Sequence, residues 1–336
     1  MPRSHDPRAH PYQSLTPDLV LDALETVGVR GDGRLIALGS YENRVYQAML
    51  DDGPPVVVKF YRPERWSDAE IGEEHAFVLQ LAEAEVPSVP PRAFDGRTLH
   101  THAGFRFAVY AKRGGRAPEL DRDDVLEWIG RFLGRLHTVG AQQRFALRPA
   151  LDATTFGERP RATLLDGAFI PDELREAWSV ASSLALDGVR RAWDRASGVA
   201  TLRLHGDVHV GNVLWVDDGA ERGPHFVDFD DARSGPAIQD LWMLLSGDRE
   251  AMEHQIGKVL DGYERFRALD RRELALVEPL RTLRLLHYSA WIAERWDDPA
   301  FPAAFPWFGT TRYWQDRILE LREQIGAMEE APLTAP

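Results

Sequence analysis

Hydrophobic periodicity changes once along this 336-residue chain, near Gly114-Gly115, and no other feature constrains the fold as much. Before that point apolar and β-branched residues come in short runs: Arg34–Leu38, Arg44–Leu50, Val56-Val57-Val58-Lys59-Phe60 and Phe105–Tyr110. Asp51-Asp52-Gly53 is a turn signal, so the flanking runs read as antiparallel strands. Two helices are expected among them. One is capped by Thr16 with Pro17 at its first position. The other covers Ser67–Ala84, where Ile71, His75, Val78, Leu79 and Ala82 recur at helical spacing. From Asp121 onward the period is helical, with Val125, Trp128, Ile129, Phe132, Leu133 and Leu136 on one stripe. Further helical stretches run over Pro171–Arg195 and Arg271–Arg295, and strand candidates remain only at Leu214–Val216 and His225–Val227. Strands followed by helices predict an α+β chain. A division at Lys112/Arg113 gives a small antiparallel-sheet part, 1–112, and a mostly helical part, 113–336.

Composition narrows the chemistry. The chain has no cysteine, which removes disulfides, thiolate metal sites and thiol nucleophiles. With 40 Lys+Arg against 53 Asp+Glu its net charge is −13, which argues against a general nucleic-acid binder. Met1–Pro17 is polar and lacks the apolar run of an export signal. Apolar stretches elsewhere fall short of the roughly 18 residues a membrane span needs. The expectation is a cytoplasmic protein with neither nucleic acid nor membrane as partner.

The densest chemical signal is Leu204-His205-Gly206-Asp207-Val208-His209-Val210-Gly211-Asn212-Val213-Leu214, followed by Phe226-Val227-Asp228-Phe229-Asp230. His205, Asp207 and Asn212 stand at the H-x-D-x-x-x-x-N spacing of a kinase catalytic loop, with Gly206 in place of arginine. Asp228-Phe229 follows sixteen residues after Asn212, at the end of an expected strand. Phosphoryl transfer requires a carboxylate to orient the attacking hydroxyl and oxygen ligands to hold Mg²⁺ on the phosphates. Asp207 fits the first role, and Asn212 and Asp228 the second. His209 reads as structural. A zinc site from His205 and His209 would need a helix, which Gly206 and Gly211 disfavour.

A second signal is Lys59, at the end of a β-branched strand where a kinase places its phosphate-clamping lysine. The following helix offers Glu70, Glu73 and Glu74; Glu74 is the preferred partner and Glu73 close behind. Between the first two strands lies Gly39-Ser40-Tyr41-Glu42-Asn43-Arg44, with one glycine where a kinase has three, so Ser40 is expected to help hold phosphate. Val109 and Ala111, on the strand leading to Gly114, sit where backbone amide groups would meet adenine. Asp240 either accepts N–H groups from the His205–Asp207 loop or simply caps its own helix. Eight of the chain's 33 aromatic residues fall within Trp291–Trp314, and C-terminal packing is favoured over substrate contact.

The chain resembles the aminoglycoside phosphotransferase and choline kinase-like superfamily, whose loop reads H-G-D-x-x-x-x-N. Within it the resemblance is to the bacterial stress response kinase A family of Ser/Thr protein kinases. It is carried by Ser40–Gln47, Val57–Trp66, Gly235–Leu245 and Asp298–Pro302, and extends from about Leu15 to Trp314. This likeness implies a bilobal protein kinase-like fold, ATP and Mg²⁺, and transfer to Ser or Thr hydroxyls of protein substrates. It further implies a monomer in the cytoplasm, active in stress protection. By position, Ser40 would touch ATP, Asp207 would accept the proton, Asn212 and Asp228 would bind Mg²⁺, and Asp228, like Asp207, would be catalytic and essential for activity. Phe229, where leucine is common, and the polar N-terminus are departures. Two alternatives stand beside this reading. One is a small-molecule kinase for an amino sugar, a choline-like alcohol or homoserine, with Glu294, Asp297 and Asp298 receiving a cationic substrate. The other is a pseudokinase that binds without transfer.

Overall fold

The computed structural model describes residues 10–219 and 222–335; the polar stretch Met1–Ala9 lies outside them. The chain packs as two units. The first runs through Arg116 and takes in Leu214–Asp230; the second comprises Ala117–Val213 and the remainder from Asp231. A cut at Lys112/Arg113 would leave Leu214–Asp230 with the C-terminal part. Backbone pairing ties that segment to the first unit: Arg116 and Trp215 exchange N–H···O bonds of 3.0 and 2.7 Å, and the Phe226 N–H reaches the Pro87 carbonyl at 2.7 Å.

In the first unit, helix α1 (Pro17–Thr26) begins where the Thr16 hydroxyl accepts the Leu19 N–H. Strands β1 (Gly31–Leu38), β2 (Arg44–Leu50), β3 (Val56–Phe60), β4 (His100–His102) and β5 (Phe105–Ala111) form an antiparallel sheet in the order β1-β2-β3-β5-β4. β4 was not expected, because His-Thr-His carries no run of strand-forming side chains. Alternation along β3 decides what each face does. Val56, Val58 and Phe60 are fully buried with Phe105, Phe107 and Val109 against Val20 and Leu24 of α1. Each such side chain contributes about 1.5–3 kcal/mol by leaving water. Helix α2 (Asp68–Glu83) starts in a reciprocal cap between Ser67 and Glu70. Its Ile71 packs with Tyr61 and Ala108 on the sheet. The later segment adds a hairpin of β7 (Val213–Val216) and β8 (Gly223–Phe226).

The second unit is mostly helical: α3 (Asp123–Gly140), α4 (Arg159–Asp166), α5 (Asp172–Arg195), α6 (Gln239–Trp242), α7 (Arg249–Tyr263), α8 (Val277–Ala293), α9 (Ala300–Ala304) and α10 (Thr311–Ala327). The expected helix from Arg271 opens as a 3₁₀ turn, Arg271–Leu276, before α8. One antiparallel pair, β6 (Leu202–Leu204) with β9 (Arg233–Gly235), brackets the chemical loop and was too short to read from sequence. α3 crosses α7 closely because Gly134 faces the Tyr263 carbonyl, which an added Cβ would meet at 2.4 Å. The C-terminal aromatics pack on one another, with Trp291 4.9 Å from Phe301 and Phe308 5.7 Å from Trp314. Phe301 and Trp314 are fully buried, so packing accounts for that density.

Candidate functional site

The first unit concentrates charge around Lys59. Its side chain is 7% exposed, with Nζ 3.0 Å from Asp228 Oδ1 and 3.1 Å from Asp230 Oδ1. Burial by itself would lower the lysine pKa, but the carboxylates of Asp228, Asp230 and Glu74 outweigh it and hold the ammonium well above its ordinary range. Of the two adjacent glutamates, Glu74 is buried and acts on Lys59, whereas Glu73 is half-buried. Asp228 is half exposed and sits at φ 59°, the left-handed region that few non-glycine residues adopt. That turn ends the β8 hairpin and points its carboxylate back at Lys59. Phe229 packs edge-on against Phe77 of α2.

Sequence reasoning missed the other half of this cluster. Asp230, 4% exposed, is also bonded by the Arg65 guanidinium. Arg65 in turn lies 3.6 Å from Glu42 Oε2, and Arg62 3.8 Å from Glu42 Oε1. The Asn43 side-chain oxygen accepts the Arg62 N–H at 3.0 Å, and Tyr12 Oη donates to the Glu42 carbonyl at 3.1 Å. Residues 42 and 43 are therefore anchored to the segment after β3, and Ser40, half-buried, lies just ahead of that anchor. Gly39 makes no close approach. This loop is shaped by side chains where a glycine-rich loop relies on backbone freedom. The visible signal was the charge density of Arg62-Pro63-Glu64-Arg65. Val109 is buried in β5 and its carbonyl accepts the Arg92 N–H at 2.7 Å, so that oxygen is already engaged; Ala111 ends the strand opposite Val56.

The second unit holds the His205–Asn212 loop. Asp240, fully buried, accepts the His205 N–H at Oδ2 and the Gly206 N–H at Oδ1, both at 2.8 Å. His137 Nε2 lies 3.0 Å from Asp240 Oδ2, and its Nδ1 2.9 Å from Tyr263 Oη. The Gln239 amide donates to the Gly206 carbonyl at 2.9 Å. Asp240 thus clamps the loop, while the Ile238 N–H near the start of α6 goes to Glu273 Oε2 at 2.8 Å. Gly206 has φ 89°, and a Cβ there would meet the Asp231 carbonyl at 2.2 Å, so arginine cannot take its place in this geometry.

Asp207 is held from several sides. Arg284 of α8 donates to its Oδ1 at 2.7 Å, a contact the sequence did not suggest. His209 Nε2 is 3.4 Å from its Oδ2, and the Asn212 amide nitrogen donates to its backbone oxygen at 2.9 Å and its Oδ2 at 3.3 Å. Burial would raise the Asp207 pKa; the His209 hydrogen bond and the Arg284 charge prevail and hold it below the usual carboxylate value. With its nitrogen turned to Asp207, Asn212 presents its amide oxygen away from that carboxylate. His209 also accepts the Gly211 N–H at 3.0 Å, so it shapes the loop as well as touching Asp207.

Stress response kinase A of Salmonella choleraesuis is 46% identical over 325 residues, 97% of each chain. A Salmonella typhimurium relative with the same identity and coverage is named serine/threonine protein kinase RdoA. The profile of the phosphotransferase enzyme family, APH, matches residues 33–277. The chain belongs to this phosphotransferase family, in its stress response kinase A branch. Among solved structures, amicoumacin kinase hAmiN in complex with AMP-PNP, Ca²⁺ and Ami covers 94% of each chain with TM-score 0.69 and 18% identity, a likeness of fold. This phosphotransferase therefore has a kinase-like fold with an N-terminal antiparallel sheet and a mostly helical remainder. Among its described residues no helix is long and apolar enough to cross a membrane.

Proposed function

We propose that this phosphotransferase is an ATP- and Mg²⁺-dependent Ser/Thr protein kinase serving stress responses. The observation that carries the transfer chemistry is the clamped loop: Asp240 holds the backbone of His205 and Gly206, while Arg284, His209 and Asn212 hold Asp207. A carboxylate held below its usual pKa is a weak base, so Asp207 orients the acceptor hydroxyl and takes its proton late, as a loose phosphoryl-transfer transition state allows. Lys59, charged and fixed by buried carboxylates, is the phosphate clamp, with Glu74 behind it and Ser40 touching ATP. The backbone near Val109 and Ala111 is the adenine-facing stretch, where the Val109 carbonyl already accepts one hydrogen bond from Arg92.

Asp228 and Asn212 are the residues that would hold Mg²⁺. Both offer side-chain oxygen, the donor this hard cation takes, and Asp228 keeps a second carboxylate oxygen beyond the one on Lys59. When bound, the ion supplies charge neutralisation on the phosphates.

The choice of a protein acceptor rests on the 46% identity to relatives bearing the kinase names above. Two of the three acidic residues that would have welcomed a cationic small molecule, Glu294 and Asp298, are otherwise engaged. Asp298 is buried and accepts the Ala300 N–H at 3.1 Å, and Glu294 pairs with Arg295 at 3.1 Å. The deciding experiment offers γ-labelled ATP with Mg²⁺, a generic Ser/Thr protein substrate and a panel of small alcohols. Label on protein, absent in Asp207→Asn, supports the proposal. Label on an alcohol alone moves the assignment to a small-molecule kinase, and no label at all makes the chain a pseudokinase.

A further inference from the structure

The second unit contains an open cavity of about 370 Å³ whose wall includes His209 and Arg284, both in contact with Asp207. Trp242, Met252 and Arg281 complete the part of the wall that matters here. Two arginines and a histidine line this space and no carboxylate does, in a chain whose net charge is −13. A neighbouring cavity of about 520 Å³ gives the contrast: Arg195, Arg249 and Arg281 share its wall with four glutamates, so it carries no single sign.

Resting on the protein-kinase reading above, we infer that the smaller cavity receives an acidic side chain flanking the acceptor Ser or Thr. The enzyme therefore selects hydroxyls in acidic polypeptide segments. Both arginines already have partial counter-charges, as His209 does 3.4 Å from Asp207, and neither guanidinium is saturated by them. Arg284 spends one nitrogen on Asp207 Oδ1, and its side chain remains 40% exposed. A guanidinium has five N–H donors in a planar fork, so most of them stay directed elsewhere. Arg281 lies 3.4 Å from Glu278, its other terminal nitrogen is 3.6 Å from Met252 Sδ, and its plane stands over Trp242 at 5.7 Å. A thioether is a weak acceptor, so this fork is positioned without being saturated. Trp242 and Met252 hold it in place and exclude water from one side, which strengthens its attraction for an incoming carboxylate.

A cationic acceptor would meet like charge in the same space. Local composition here opposes the acidic average of the chain, because attraction at contact range depends on the nearest charges while the net charge acts at distance and is screened.

The test uses three synthetic peptides with one central serine, flanked by glutamate, by alanine or by lysine, and the full-length enzyme with MgATP. The expected result is a kcat/KM for the glutamate peptide at least tenfold above that for the lysine peptide, carried mainly in KM. In Arg281→Glu the ratio should fall to one or below, and in Arg281→Lys it should persist. Comparing two peptides on one sample cancels any loss of folded protein. Equal or reversed preference in the wild type overturns the inference and leaves the protein-kinase reading standing. A wild-type preference unchanged in Arg281→Glu overturns the assignment to this cavity. No transfer to any peptide, with transfer to a generic protein retained, removes the inference alone; loss of both removes the protein-kinase reading with it.

Discussion

The two charged clusters of this enzyme, one in each unit, are stabilised in opposite ways. Around Lys59 the partners are side chains: Asp228, Asp230, Arg65 and Glu42 form a chain of buried or half-buried charges. Around Asp207 the loop's shape comes from backbone N–H groups delivered to one buried carboxylate, Asp240, with glycine where a side chain would collide. The comparison teaches that a loop can be held either by its own backbone or by ion pairs. Only the first leaves a spacing motif in the sequence. An ion-pair clamp distributes its residues wherever the fold brings opposite charges together, and desolvation makes it costly to disrupt from one side.

The largest expected effect tests the Asp207 cluster directly. Asp207→Asn should lower label transfer by roughly 10²–10⁴-fold with little change in the melting curve. Because the folded Asp207 pKa is depressed, its ionised form and the stability it lends are present at neutral pH. Both are lost only as pH falls below the usual carboxylate range. A wild-type rate in this variant would end the assignment. Next, Asp230→Ala removes the carboxylate that Lys59 and Arg65 share, leaving Lys59 to Asp228 and Glu74 and Arg65 to Glu42, and should cost about 1–3 kcal/mol in urea unfolding. Replacing Arg65 by Met in the same chain should recover part of it; a purely additive double variant would show that the clamp is not a unit.

Asp240→Ala strands two backbone donors and His137, at about 1–3 kcal/mol each, and should lower transfer although Asp240 is not a transfer residue. Unchanged activity would break the idea of a backbone-held loop. Glu273 gives a pH readout on the same region. Burial pushes its pKa from 4.5 up to about 7, against the pull of the Ile238 N–H. A carboxyl whose folded value is raised favours folding most at low pH, so stability should decline between pH 5 and 8, by on the order of 3 kcal/mol at most. Glu273→Gln should flatten that slope. Smallest of all, Gly39→Ala should change stability by less than about 0.5 kcal/mol, since a Cβ there meets nothing within 4 Å. A large loss would mean that the side-chain-held loop relies on glycine after all.

Much of the fold was legible because it is written in short-range patterns. The strands at Arg44–Leu50 and Val56–Phe60 follow from alternation, and α2 from its Ser67 cap and helical stripe. The strands that escaped, β4, β6 and β9, are three residues long and contain too few side chains to display a period, and α4, α7, α9 and α10 were not delimited within the helical part either. For the proposed site, spacing singled out Asp207, Asn212 and Asp228 and strand context singled out Lys59, while Asp240 was narrowed to two roles of which the structure shows the loop clamp. Arg65, Asp230, Glu42 and Arg284 were not singled out. With 53 acidic and 40 basic residues, no pairing between distant charges stands out before the chain has folded.

By itself the sequence determined the order of sheet and helices and the residues that sit a few positions apart on one loop. Backbone geometry confines such neighbours whatever the rest of the chain does. Tertiary structure alone decided which charges meet: Arg65 with Asp230, 165 residues apart, and Arg284 with Asp207, 77 apart. Those encounters depend on the whole path of the chain, because burying an ion is tolerable only where the packed core places its counter-charge within reach.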